Sequence, residues 1–159
     1  MSISPQTVLK KQQILDKISQ IFLEVLPFNT LFQYRIGELT NNRAELIFDR
    51  RDEFIGNQMQ NILHGGVISS ALDTVGGFIA ARSLFTNTQE CSIAEFTERF
   101  SKLGTVNLHV DFLRPGKGTC FTATAQTERM GNKIGVFRVA LHNEHNIQIA
   151  SGVATYLVG

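Results

Sequence analysis

One acidic residue inside an apolar stretch is the first candidate for chemistry in this sequence. Asp73 is the only acid between Gly65 and Leu84, where most residues are apolar or small. A buried carboxylate without a function is costly, so an acid at this place is a candidate nucleophile or general base. The alternative is a structural acid that pairs with Arg82 or with a lysine at a subunit interface.

The same stretch begins with the triplet His64-Gly65-Gly66. The first backbone N–H groups of a helix have no partner within the helix, and the positive helix end attracts negative charge. Such groups can stabilise the oxyanion that forms when a carbonyl carbon is attacked. Gly66 has no side chain that would crowd an approaching carbonyl. The sequence therefore supplies both an acid and an oxyanion site.

The spacing of these groups predicts an oligomer. Asp73 lies eight residues beyond Gly65, and at 1.5 Å per residue this separates them by about 12 Å along one helix. A reacting carbon needs both groups within roughly 3 to 3.5 Å. Two antiparallel helices across a two-fold axis satisfy this requirement. We therefore expect a homo-oligomer, a dimer or a dimer of dimers, with composite active sites.

Several segments have clear secondary-structure patterns. Apolar residues recur at helical spacing from Gln6 to Leu26, until Pro27 stops the pattern. Gly65–Leu84 is apolar on nearly every face, as in a helix enclosed by other structure, and the polar segment Arg50–Asn61 predicts a loop. The other predicted elements are strands Leu31–Leu39 and Ala44–Phe48, a short helix within Asn87–Lys102, and strands Thr105–Leu113, Thr119–Glu128, Lys133–Leu141 and Ile147–Val158.

This order of elements predicts an α+β domain in which a twisted antiparallel sheet wraps a long central helix. The hotdog fold is the simplest arrangement of this kind. We assign residues 1–27 to an extra N-terminal amphipathic helix and residues 28–159 to the hotdog domain. A sheet of this size has an edge and a helix-free face, which also favours pairing of subunits.

Composition excludes several classes of partner. The formal net charge is +1, so no global field attracts nucleic acid or an anionic membrane surface. Asp73 and Arg82 interrupt the longest apolar stretch and argue against membrane insertion. Cys91 and Cys120 lack disulfide or metal-site spacing, and residues near Met1 show no secretion signal. We expect a cytoplasmic protein without a metal.

The segment from Gln58 to Gly66 (QMQNILHGG), followed by Asp73, resembles the PaaI-like, 4-hydroxybenzoyl-CoA-thioesterase type of hotdog enzyme. The resemblance continues through Thr105–Gly116 and Gly131–Lys133 to the last strand. It is closest to the YigI-like branch, which is associated with medium- and long-chain acyl-CoA. The resemblance implies hydrolysis of acyl-CoA to a free fatty acid and CoA, without any cofactor.

The resemblance also implies roles for individual residues. The Gly65 N–H is the oxyanion donor, His64 orients the thioester, and Gln58 binds the carbonyl or the attacking water. Asp73 comes from the partner subunit and acts as nucleophile or as general base, and the sequence does not separate these two mechanisms. Thr105 supports the acid or the water through a hydrogen bond.

The remaining candidates concern substrate binding. Gly77 occupies a position where relatives of the hydroxybenzoyl type carry Thr, and it leaves room for an acyl chain. Arg114, Asn132 and Lys133 lie at predicted strand ends or turns, where they can meet the phosphates of coenzyme A.

Three other functions compete with this interpretation. A non-catalytic hotdog protein that senses acyl-CoA would normally carry a DNA-binding domain, whereas the residues before Phe28 predict one helix. A hotdog dehydratase or hydratase uses a different arrangement of Asp and His. A thioesterase for aromatic acyl-CoA differs only in its pocket. Dimer versus tetramer, and coenzyme A versus acyl carrier protein, stay open.

Overall fold

A six-stranded antiparallel sheet is the largest element of the computed structural model, which describes residues 6–159. Residues 1–5 of the predicted N-terminal segment lie outside the described residues. In chain order the elements are β1 (Val8–Lys10), α1 (Lys11–Gln20), a π-helical turn (Ile21–Val25), α2 (Pro27–Thr30), β2 (Arg35–Leu39), β3 (Arg43–Asp49), a 3-10 turn (Asp52–Phe54), β4 (Ile55–Asn57), β5 (Ile62–Leu63), α3 (Gly65–Leu84), β6 (Glu90–Ser92), α4 (Ile93–Ser101), β7 (Gly104–Phe112), β8 (Cys120–Met130), β9 (Ile134–Asn143) and β10 (Gln148–Leu157).

The large sheet has the strand order β2-β3-β8-β9-β10-β7, and every neighbouring pair is antiparallel. Burial alternates along its central strands, so one face of the sheet is apolar. α3 packs on this face, and eleven of its twenty residues are buried, which explains why its sequence is apolar on nearly every side. The predicted α+β architecture is confirmed.

The N-terminal segment differs from the continuous helix predicted for Gln6–Leu26. Residues 8–10 form β1, which pairs with β6, and the helix begins at Lys11. The partner strand lies some eighty residues away in sequence, so local periodicity could not reveal it. The helix itself is confirmed: Ile14 and Ile18 are fully buried, and the Phe22 ring lies 5.5 Å from that of Phe78. A division of the chain at residue 27 stays a prediction.

The first predicted strand, Leu31–Leu39, is wrong in its first half. Pro27–Thr30 forms a helical turn, Gln33 has a φ of 52°, and β2 begins only at Arg35. The apolar character of this segment serves core packing instead. The Phe32 ring stacks on that of Tyr34 at 4.9 Å and also contacts the rings of Phe48 and Phe54.

Two connections contain more structure than the sequence predicts. The polar segment Arg50–Asn61, predicted as a loop, holds the 3-10 turn and β4, and β4 pairs with β5 immediately before α3. Asn87–Lys102 contains the expected short helix, α4, whose N-cap Ser92 accepts the Glu95 N–H at 3.1 Å. Residues 90–92 are strand rather than helix because they pair with β1.

None of the helices in residues 6–159 combines the length and the apolar character of a membrane span. The cytoplasmic location stays a prediction.

Candidate active site

His64 is the N-cap of α3, and it organises the start of this helix. Its Nδ1 accepts the Gly66 N–H at 2.8 Å, and its carbonyl oxygen accepts the N–H groups of Val67 and Ile68. These are three of the first four N–H groups of the helix. The fourth, that of Gly65, has no acceptor among the described residues. The predicted oxyanion donor is therefore the N–H group that the helix start leaves free.

This capping bond also sets the tautomer of His64. Since Nδ1 accepts a hydrogen bond, the neutral ring carries its proton on Nε2 and can donate from that atom. The side chain is exposed, and the His64 N–H donates to the Phe54 carbonyl at 2.8 Å. The 3-10 turn thus holds His64 at the surface, and within residues 6–159 its Nε2 has no acceptor.

Asp73 lies in the middle of α3 and is held by two hydroxyl groups. The Thr105 hydroxyl donates to Asp73 Oδ1 at 2.9 Å. The Tyr156 hydroxyl lies 3.0 Å from the same Oδ1 and 2.6 Å from the main-chain oxygen of Asp73. No donor among the described residues is recorded for Oδ2, so this oxygen is available for a substrate or a water molecule. Arg82 instead lies over the Phe78 ring, at 5.8 Å from its centroid.

Tyr156 is the residue of this site that sequence reasoning missed. It is 2% exposed, and burial, followed by the charge of Asp73, raises the pKa of its hydroxyl far above the ordinary value. The hydroxyl therefore stays protonated and acts as a donor. The alternation along the last strand places Tyr156 on the buried face, where a hydroxyl needs a partner. That requirement was the available signal.

Two cavities meet at Asp73. The first has a volume of about 180 Å³; most of its surface is apolar, and Asn29, Thr74, Thr105 and Tyr156 are the polar residues that line it beside Asp73. Its apolar wall consists of Phe22, Leu26, Gly77 and Leu103. Gly77, predicted to leave room for an acyl chain, thus lies in the wall of a cavity that contains Asp73.

The second cavity at Asp73 lies along the edge of the sheet. It has a volume of about 250 Å³ and is lined by Ser69, Ser70, Asp73, Thr105 and Leu108. The serine hydroxyls donate back to helix carbonyls one turn earlier, so this side of α3 presents little bulk. β7 is the edge strand here, since it pairs only with β10 in the large sheet.

Gly65 lines a separate cavity of about 340 Å³, together with Phe112, Arg114 and other residues of the β7–β8 connection. Arg114 donates from Nη1 to the Gln148 carbonyl at 2.9 Å, which fixes its guanidinium at this cavity. The structure therefore brings Gly65 and the predicted phosphate ligand Arg114 together. It does not bring Gly65 together with Asp73, which lies about 12 Å further along the same helix.

The other predicted residues are located as follows. Gln58 is exposed in the turn between β4 and β5 and lines neither the two Asp73 cavities nor the Gly65 cavity. A Cβ atom at position 66 would lie 3.0 Å from His64 Nδ1. Glycine at this position therefore leaves room for the capping hydrogen bond. Asn132 and Lys133 are exposed in the β8–β9 turn. The strand pairing places this turn at the same end of the sheet as Thr105 and opposite to Arg114.

The fold agrees with the comparison with known proteins. The sequence pattern of the thioesterase superfamily matches residues 60–150, more than half of the chain. This protein belongs to the thioesterase superfamily. The predicted hotdog fold and the predicted class of enzyme, a thioester hydrolase, are thereby confirmed.

Individual relatives extend over nearly the whole chain. Proteins of Salmonella typhimurium and Escherichia coli named medium/long-chain acyl-CoA thioesterase YigI are 43% identical over 152 residues, covering 96% of this chain and 98% of theirs. A thioesterase-superfamily protein of Shewanella oneidensis is 38% identical with a TM-score of 0.87, covering 94% of this chain and 97% of its own. The E. coli PaaI protein, 18% identical with a TM-score of 0.72 over 92% of this chain and 94% of its own, shares the fold.

Proposed function

We propose that this protein hydrolyses medium- to long-chain fatty acyl-CoA to free fatty acid and coenzyme A. The observation that carries the proposal is the position of Asp73 at the junction of two cavities, with Oδ1 held by Thr105 and with no donor to Oδ2 from residues 6–159. A carboxylate with one oxygen fixed and one available is suited to act on a thioester. The proposal is also supported by the substrate named for the YigI relatives.

Two routes lead from this geometry to the products. In the first, Asp73 Oδ2 attacks the carbonyl carbon, the C–S bond breaks, and water hydrolyses the resulting acyl-aspartate anhydride. In the second, Asp73 takes a proton from water, the water oxygen attacks the carbon, the C–S bond breaks, and Asp73 gives the proton to the departing thiolate. In both routes the Gly65 N–H stabilises the oxyanion, and His64 Nε2–H and Gln58 are the candidates to orient the thioester or the water.

The active site is composite in this proposal. Gly65 and Asp73 line different cavities of one chain, and each cavity holds only half of the required groups. The edge strand β7 has a free row of backbone groups beside the small-residue side of α3, which permits two copies to pair with their α3 helices antiparallel. One copy would then supply Gly65 and the other Asp73.

The apolar cavity beside Asp73 is the proposed site of the acyl chain. Leu26 lines it and is partly exposed, and its sequence neighbours Val25, Phe28 and Leu31 are exposed apolar residues. A flexible fatty chain can leave the enclosed part and continue over this surface, whereas a compact aromatic acyl group would leave it uncovered. This continuity favours fatty acyl groups over aromatic ones.

Three polar residues are proposed for the coenzyme A part of the substrate. Arg114 lines the Gly65 cavity, and Asn132 and Lys133 lie at the end of the sheet that carries Thr105. In a two-fold symmetric dimer, the Arg114 end of the sheet in one copy would meet the Thr105 end of the sheet in the other copy. The phosphates would then be bound by Arg114 of the copy that supplies Gly65 and by Asn132 and Lys133 of the copy that supplies Asp73.

The test is thiol release from a panel of short-, medium-, long-chain and aromatic acyl-CoA substrates, with acyl carrier protein thioesters as a further arm. Asp73→Asn keeps the shape of the side chain, and we expect about a 10²- to 10⁴-fold lower kcat. Asp49→Asn, which removes an exposed carboxylate paired with Arg35 at the opposite part of the sheet, is the matched control and should match wild type. Binding of acyl-CoA without turnover by wild type would refute the proposal in favour of a sensor.

A further inference from the structure

The hydroxyl of Tyr156 contacts two different atoms of Asp73. It lies 2.6 Å from the main-chain oxygen and 3.0 Å from Oδ1, and its residue is separated from Asp73 by more than eighty positions in sequence. A hydroxyl has one proton, which these two acceptors share. The contact therefore ties the backbone of α3 and the carboxylate of the same residue to strand β10.

The helix is shaped to admit this hydroxyl. Gly76 lies three residues after Asp73 on α3, and a Cβ atom at this position would be 2.6 Å from the Tyr156 hydroxyl oxygen. It would also lie 3.0 and 3.2 Å from two ring carbons of Tyr156. Any side chain at position 76 would therefore displace Tyr156 from Asp73 or displace α3 from the sheet.

The two hydroxyl contacts also select between the carboxylate oxygens. Thr105 and Tyr156 both approach Oδ1, from the edge strand β7 and from its neighbour β10. This arrangement fixes the rotation of the carboxylate about its Cβ–Cγ bond. Oδ2 then points away from both hydroxyl groups, where a substrate carbon or a water molecule can meet it.

We propose that Tyr156 is a positioning residue that sets the direction of Asp73 Oδ2, and that Gly76 is required because it admits the Tyr156 hydroxyl. The inference rests on the proposed function, since it takes Asp73 to be the group that acts on the thioester. Tyr156 acts through Asp73 and does not itself touch the reacting atoms. Its burial and the adjacent carboxylate keep its hydroxyl protonated, so the donor is present throughout the neutral range.

The first experiment removes the hydroxyl alone. Tyr156→Phe should lower kcat by about 10- to 100-fold, the effect of misplacing a reacting group by roughly an ångström, while KM for acyl-CoA stays close to wild type. Tyr34→Phe is the matched control, since Tyr34 is the other buried tyrosine and its hydroxyl, although it lies near Thr74 and feels the charge of Asp73, makes no hydrogen bond to the Asp73 carboxylate. It should retain the wild-type kcat.

The second experiment tests the link with Gly76. Gly76→Ala should lower kcat to a similar extent, because the new methyl group displaces the same hydroxyl. The double variant Gly76→Ala/Tyr156→Phe should be no slower than the slower single variant, since both changes remove one contact. Should Tyr156→Phe fail to fold, Gly76→Ala supplies the same measurement with the hydroxyl still on the chain. Circular dichroism and thermal unfolding establish that each variant is folded.

The outcomes distinguish this inference from the proposed function. If Asp73→Asn is inactive while folded Tyr156→Phe equals Tyr34→Phe in kcat, the positioning role is overturned and the proposed function stands. Independent, additive losses in the Gly76 and Tyr156 variants would also overturn it. If Asp73→Asn is fully active, the proposed function itself fails. A selective loss of kcat in both single variants, without further loss in the double variant, supports the inference.

Discussion

His64 Nδ1 accepts the Gly66 N–H at 2.8 Å, so the residue proposed to orient the thioester is also the N-cap of α3. The two roles use different ring nitrogens. Nδ1 serves the helix, and Nε2 is left to face a substrate. A substitution that preserves the capping acceptor while removing the imidazole can therefore separate stability from activity.

We predict that His64→Ala and His64→Asn differ in stability but not in activity. Alanine cannot cap the helix and should lower the free energy of unfolding by about 1 kcal/mol, whereas asparagine is among the preferred N-cap residues and should restore it. Both variants should hydrolyse acyl-CoA more slowly than wild type because both lack the Nε2 donor. Urea unfolding at one fixed protein concentration measures the difference in stability, and steady-state kinetics measure the activity of each variant. Full activity in His64→Asn would remove His64 from the chemistry.

The composite site predicts complementation between two impaired variants. Asp73→Asn impairs the acid and His64→Asn the oxyanion side, so a mixed dimer contains one site in which both groups are intact. If subunits of an equal mixture exchange at random, half of the dimers are mixed and each mixed dimer has one intact site. About a quarter of all sites should then be active. The measurement is thiol release before and after the two proteins are exchanged by mild denaturation and refolding. Activity equal to the average of the two separate variants would show that each chain forms its own complete site.

Much of this architecture could be predicted from local sequence. The bounds of α3, Gly65–Leu84, agree with the prediction because the glycine-rich start and the continuous apolar surface are both local signals. Asp73 stood out for the same reason, as a charge that such a helix cannot bury without a partner. The late strands were also predicted, to within a few residues at their ends.

The features that were missed depend on contacts between distant parts of the chain. β1 forms because residues 8–10 find Glu90–Ser92, and no local pattern encodes that pairing. Tyr156 becomes a partner of Asp73 only because β10 lies next to the edge strand and faces α3. The apolar residues Leu31 and Phe32 suggested a strand, whereas Phe32 is used in an aromatic cluster. Tertiary packing decided each of these cases over local propensity.

We predict that neither cysteine takes part in hydrolysis. Burial is the main cause that raises the pKa of both the Cys91 and the Cys120 thiols, so little reactive thiolate is present near pH 7. The double variant Cys91→Ala/Cys120→Ala should keep the wild-type kcat, provided that it is folded, and iodoacetamide at neutral pH should not inhibit wild type. Asp73→Asn, assayed in parallel, shows how far kcat falls when a catalytic group is removed. Inactivation in step with alkylation of either thiol would point to a cysteine nucleophile.

The last prediction concerns the length of the acyl chain. A Cβ atom at Gly77 would lie 3.5 Å from ring carbons of Phe22 and Tyr156, an ordinary contact distance, so Gly77→Ala should fold without strain. Alanine in place of glycine inside a helix should also stabilise α3 by up to about 1 kcal/mol. The added methyl group occupies the wall of the acyl cavity, however, and one methylene in an apolar pocket changes selectivity by roughly tenfold or more.

The ratio of kcat/KM for long-chain over short-chain acyl-CoA should therefore fall in Gly77→Ala, while the midpoint of thermal unfolding stays equal or rises. Gly76→Ala is the informative contrast, because the same methyl group one residue earlier meets the Tyr156 hydroxyl at 2.6 Å instead of lining the cavity. That variant should lose kcat on all chain lengths alike. An unchanged chain-length profile in folded Gly77→Ala would place the acyl chain elsewhere, since a chain lying in this cavity cannot avoid the new methyl group.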